Sequence, residues 1–98
     1  MTIKGYNIFM RLPVKIFKVS GHSMMPYLSP TDSVLVFTFL KIKKGNVIVF
    51  KHHSKNMIKR VSKLEGNNVY VEGDNTNDSL DVGKISKRDI IGKVVFKI

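Results

Sequence analysis

Apolar residues in this chain gather in short runs, many of them β-branched, and Gly, Asn and Pro break the runs apart. The run Ser33-Val34-Leu35-Val36-Phe37-Thr38-Phe39-Leu40 reads as a core strand, and Val69-Tyr70-Val71-Glu72 alternates as a half-buried strand does. The pattern predicts strands over residues 14–19, 33–39, 46–51, 57–63, 69–72 and 93–98, with one short helical turn over 85–91. Lys43-Lys44-Gly45-Asn46 and Glu65-Gly66-Asn67-Asn68 hold the Gly and Asn that chain reversals need. Short strands at near-regular spacing predict a mostly β fold, a small coiled antiparallel β-barrel or sheet.

Within the strand predicted over 57–63, side chains alternate between faces, so Met57, Lys59 and Val61 share one side while Ile58, Arg60 and Ser62 take the other. Lys59 therefore has apolar neighbours. An exposed lysine titrates near ~10.4, and taking its ammonium out of water disfavours the charged form. An amine brought toward neutrality is a competent general base. A serine hydroxyl needs such a base to act as a nucleophile, and Ser23 in Ser20-Gly21-His22-Ser23-Met24-Met25-Pro26-Tyr27-Leu28 is the candidate. A third segment, Gly73-Asp74-Asn75-Thr76-Asn77-Asp78-Ser79-Leu80-Asp81, offers the Ser79 hydroxyl to hold the amine in place. Gly21 lets backbone approach a substrate closely, and the Ser23 N–H is the natural donor to an acyl-transfer oxyanion. Met24 and Leu28 either line a cleft or fill the core, and core is the simpler reading. Each site residue has a plain alternative: Ser23 as a turn serine before Pro26, Ser79 as turn chemistry after Asn77-Asp78, Lys59 as a solvated cation.

The order and content of the three segments resemble the type I signal peptidase family, with self-cleaving repressor domains as more distant kin, over residues 14–95. The G-x-S-M-x-P segment of that family falls on Gly21, Ser23, Met24 and Pro26, which the resemblance assigns to the nucleophile, substrate and oxyanion side of the site. Its K-R-V segment falls on Lys59, Arg60 and Val61, with Lys59 as base. Its G-D-N segment falls on Gly73, Asp74 and Asn75, with Ser79 beside the lysine and Asp74, Asn75 and Asp81 as structural support. The resemblance implies a mostly β catalytic core and a serine endopeptidase cutting leader or signal-like segments with small residues before the cut. This chain departs from the family in places. Gly66 and Gly73 lie too close together for the second β-rich domain many members insert, Asn46 and Asn67 replace usual aspartates, and Tyr27 replaces a usual threonine. Val82-Gly83 stands where an arginine is common.

Length changes the picture little: 98 residues suit one catalytic domain, with 1–13 as an N-terminal arm. The absence of cysteine excludes disulfides and thiol catalysis. His22 neighbours Ser23, but adjacent side chains on an extended segment point apart, and His52-His53 reads as a solvated loop, so neither a metal nor a cofactor is expected. A formal charge of +10 favours anionic partners. The partners expected are a protein or peptide substrate and, peripherally, an anionic membrane surface. No nucleic-acid-reading motif is present, so no specific nucleic acid is expected. No window supplies the ~20 apolar residues of a membrane span, so the chain is expected to be soluble or peripheral to a membrane, with the cytoplasm favoured. Two alternatives stand beside the endopeptidase: a self-cleaving repressor-like module, for which only a short arm precedes the first strand, and a catalytically inactive basic β-barrel that binds rather than cuts.

Overall fold

A computed structural model describes residues 13–77 and 83–98. Ser79 and Asp81 lie outside the described residues. Among the described residues, seven strands run in chain order as β1 (Val14–Lys18), β2 (Ser33–Phe37), β3 (Val47–His52), β4 (Lys55–Glu65), β5 (Asn68–Glu72), β6 (Gly83–Ser86) and β7 (Ile90–Lys97), with a 3₁₀ turn at Lys87–Asp89 before β7. The mostly β class holds. The short helical turn expected over 85–91 shrinks to those three residues, because Ile85 and its neighbours pair with β5 as strand β6, which the sequence pattern missed.

All seven strands join one antiparallel sheet in the order β1-β2-β7-β3-β4-β5-β6. Among the described residues no pairing links β1 to β6, so the sheet coils without closing into a barrel. Its curl has visible causes. The register shifts between Leu35 and Val36, between Val49 and Phe50, and between Val61 and Lys63, and such bulges bend a strand and raise its twist.

The run Val47, Ile48, Val49, Phe50 in β3 is buried at every position, because both faces of that strand are covered. Val47 and Val49 join an apolar cluster with Val34, Val36 and Val94, while Ile48 and Phe50 join a second with Val61, Val69, Val71 and Ile85. Alternation along β4 follows the same division, with Ile58 against the first cluster and Met57 and Val61 in the second. The first cluster fills the concave side of the curl and also takes in Val19, Met24 and Leu28 from the β1–β2 connection. At full burial each such aliphatic side chain contributes roughly 1.5–3 kcal/mol.

The β3–β4 hairpin turns through His53 (φ 50°) and Ser54 (φ 67°). Positive φ at both central residues is what a two-residue turn matched to strand twist demands, so of the His52-His53 pair expected in a solvated loop, His53 stands at the tip of a tight hairpin and His52 ends β3. The His52 and His53 rings meet edge-on at 4.1 Å. Among the described residues no helix is long and apolar enough to cross a membrane.

Candidate active site

The β1–β2 connection carries Ser23. Its two ends are clamped side by side, since Val19 N donates to Asp32 O at 2.7 Å and Thr31 N donates to Val19 O at 2.9 Å. Between the clamps, Leu28 N donates to Met24 O at 2.9 Å. That single turn stacks Met24 and Leu28, at 1% and 0% exposure, onto the first cluster. Met24 therefore fills the core and does not face the cleft. Gly21, at φ 77°, turns the backbone just ahead of Ser23, a conformation that costs glycine nothing. Gly21 and Pro26 are exposed and stand outside the cavity described next.

Lys59 is buried to 2% exposure, and no other charged residue among those described is buried. It lies opposite Ile48 in the β3–β4 register, with Val49 opposite Ile58. Pairing of β4 with β5 begins only at Arg60, opposite Glu72, so residues 55–59 present an edge that β5 does not cover. A cavity of about 360 Å³ lies there, lined by Phe17, Lys18, Val19, Ser20 and Ser23 on one side and by Val49 and residues 56–59 on the other. In sheet order β2, β7 and β3 separate β1 from β4, so only the curl brings these two walls together. Ser23 and Lys59 thus line one cavity. Ser20, adjacent to the motif glycine, lines it too.

Arg60, next in the strand, holds the Ser23 segment indirectly. Its Nε and Nη2 donate to Asp74 Oδ1 and Oδ2 at 2.8 and 2.7 Å, and its Nη1 donates to Gly45 O at 2.8 Å. The guanidinium carbon lies 5.1 Å from the Tyr27 ring centre, a cation–π distance. The Asp74 hydrogen bond, opposed by partial burial, holds the Arg60 pKa above the usual arginine value, so the pair keeps its cation at any working pH. From the turn that Asp74 anchors, Asn75 reaches across: its N donates to Ser23 O at 2.8 Å and its Nδ2 to His22 O at 3.0 Å. A chain of contacts therefore runs from β4 through Arg60, Asp74 and Asn75 to the backbone of Ser23.

Of the sequence candidates, Ser23 and Lys59 come together at the cavity, and Asp74 and Asn75 brace its rim. Alternation in the sequence places Arg60 on the far face without a task, and nothing in the residue pattern marks Phe17, Asn56, Met57 or Ile58 as cavity walls. The one available signal was the adjacency of Arg60 to Lys59, which places one residue at the cavity and its neighbour on the brace. Tyr27, a departure from the family pattern, covers the Arg60 guanidinium.

A family model described as Peptidase S24-like matches residues 7–95, nearly the whole chain. No curated protein matches it. The match agrees with the signal peptidase-like resemblance of the three sequence segments and with the β architecture that carries them. The chain belongs to the Peptidase S24-like family.

Proposed function

We propose that this protein is a serine endopeptidase in which Ser23 is the nucleophile and Lys59 the general base, cleaving leader or signal-like segments of protein substrates. The observation that carries this reading is a lysine at 2% exposure lining the same cavity as the motif serine. Burying an ammonium favours its neutral form, the form a base requires. The substrate lies extended between β1 and the uncovered edge of residues 56–59, where strand-like hydrogen bonding is open to it. Lys59 Nζ takes the proton of Ser23 Oγ as the oxygen attacks the scissile carbonyl carbon, and the Ser23 N–H donates to the oxyanion. The C–N bond then breaks, the leaving amine takes the proton from Lys59, and an ester to Ser23 remains. Lys59 next deprotonates a water that attacks this ester, and the proton returns to Ser23. Ser79 and Asp81 take the orienting and supporting roles that the family resemblance gives them.

A serine-acylating penem or phosphonate probe tests the nucleophile directly. One adduct per chain on the wild type, located at Ser23 by peptide mapping and missing from Ser23→Ala, is the expected result, whereas labelling that persists in Ser23→Ala would remove the serine from its role. The base is tested by pH. Because only the neutral amine accepts a proton, kcat/KM should climb with rising pH to a plateau, and a flat profile from mildly acidic to alkaline pH contradicts the mechanism.

The brace makes its own prediction. Asn75→Ala removes the side-chain bond to the His22 carbonyl while leaving the cavity walls in place, so kcat should fall about tenfold to a hundredfold with KM little changed. Asp74→Asn should weaken the Arg60 pair by about 1 kcal/mol, given its partial exposure, and lower kcat in the same direction. A loss confined to KM would show that Asn75 binds substrate instead of positioning Ser23.

Membership of the S24-like family supports a second reading, in which the same two residues cut this protein's own chain. Intact mass after incubation distinguishes the two, since self-cleavage yields two fragments from a purified sample with no substrate added.

A further inference from the structure

A second cavity, of about 580 Å³, is lined by Lys15, Phe17, Lys51, Asn56, Arg88, Asp89, Ile90 and Ile91. It shares Phe17 and Asn56 with the cavity of Ser23 and Lys59, so the two adjoin along one groove. Strand phase explains the change of character along it. Phe17 and Lys15 sit opposite Val34 and Val36, both buried in the first cluster. Val49 and Lys51, two apart on β3, face the same way, as do Ile58 and Asn56 on β4, and Lys51 sits directly opposite Asn56. The concave face thus passes from apolar to polar at one level on three strands. The 3₁₀ turn adds Arg88 beside it.

Three cations and the single carboxylate of Asp89 line this end. The ion pairs among the described residues are Arg60–Asp74, Lys63–Glu65 and Lys97–Asp32, and none engages Lys15, Lys51 or Arg88. Like charges gathered in a concave wall concentrate the field and favour an anionic group in the groove. A strand advances roughly 3.3 Å per residue, so the paths from Val19 to Lys15 and from Lys59 to Asn56 cover about 10 to 13 Å.

We propose that Lys15, Lys51 and Arg88 form a specificity subsite for an acidic side chain of the substrate, three or four residues from the bond that is cut. This inference rests on the reading of the groove as a peptide site and names the substrate class it prefers: extended peptides carrying Asp or Glu at one fixed distance from the scissile bond.

The test separates binding from cleavage. Fluorescence anisotropy would measure binding of a peptide set to the Ser23→Ala protein, with Glu scanned against Gln through every position. At one position Glu should bind about fivefold to tenfold more tightly than Gln, and the advantage should shrink with added salt. In Lys51→Glu/Arg88→Glu the preference should reverse toward a peptide with Lys there, and Lys15→Glu alone should weaken Glu binding in the same sense. Equal affinity for Glu and Gln at every position overturns the proposal. So does an unchanged preference in the charge-reversed variants, or tighter binding of a single-stranded oligonucleotide of matched charge than of any acidic peptide. The two readings fail separately. Selective binding with no wild-type cleavage removes the Ser23–Lys59 chemistry and leaves the subsite, whereas Ser23-dependent cleavage that ignores the acid removes the subsite alone.

Discussion

Ser23→Ala should lower kcat/KM on a cleavable leader peptide by about a thousandfold or more, and Lys59→Met should do nearly the same, because neither group of a nucleophile–base pair works without the other. The double variant Ser23→Ala/Lys59→Met should lose little beyond either single change, the non-additivity expected of residues that act as one unit. Thermal unfolding provides the control. Ser23 sits on a connection pinned by Met24 and Leu28 and by the backbone clamps at Val19, Asp32 and Thr31, so removing one hydroxyl should move Tm by no more than a few degrees. Methionine matches the length of the lysine stem, needs no hydration and adapts to irregular interior space, so the volume that the stem occupies stays filled. Lys59→Met should therefore leave a folded, inert protein. Wild-type rates in either single variant, on a peptide cut by the parent protein, would end the dyad assignment and turn attention to the groove as a binding surface.

Gly92→Ala should be the most damaging small substitution in the sheet. Gly92 is buried in β7 between β2 and β3, opposite Val49. A Cβ there would stand 2.6 Å from Val36 Cγ1, 2.7 Å from Phe37 O and 3.1 Å from the Phe37 carbonyl carbon. A valine methyl can turn aside, but the Phe37 carbonyl belongs to the backbone of the paired strand and moves only if the ladder does. Overpacking a tight interior typically costs about 1–3 kcal/mol and more where backbone is hit. For a domain of this size each kcal/mol is about 4–8 °C in Tm, so a drop of about 10 °C or more is expected by calorimetry or circular dichroism. Removing the valine methyls as well, in Gly92→Ala/Val36→Ala, should not restore stability, because the carbonyl contact persists. A Gly92→Ala protein that melts with the wild type would show that β2 and β7 can separate at low cost.

The effects at the Ser23–Lys59 pair and at Gly92 have different origins, and so do the parts of the molecule that can be read from its residues. The strands were legible because burial on a sheet repeats every second residue, and Val34 and Val36 or Val69 and Val71 carry that repeat in the chain itself. The unbroken apolar run of Val47, Ile48, Val49 and Phe50 likewise announces a strand covered on both faces. Strand β6 did not show, since its four residues contain one buried side chain, Ile85, and its existence depends on the free edge of β5. The choice between barrel and open sheet, which the pattern left standing, was not legible either, because hydrophobic repeats report which faces are buried and are silent about whether the first and last strands pair.

Ser23 and Lys59 stood out because a nucleophile and a base require particular residue types in recognisable settings, and those settings are local: Gly21 two residues before, Val61 two residues after. Their arrival at one cavity is a different matter. It depends on the summed bend of five strands, on bulges whose positions leave no mark in residue type, and on the point at which β5 stops covering β4. The Arg60–Asp74–Asn75 brace and the cationic end of the groove belong to that second category, for each joins groups far apart in the chain. Local side-chain chemistry and alternation are properties of neighbours along the backbone, so the residues alone established most of the strands and singled out the candidate groups Ser23 and Lys59. Curvature and coverage are properties of the closed set of contacts, so only the folded chain decided which wall faces which and where charge collects.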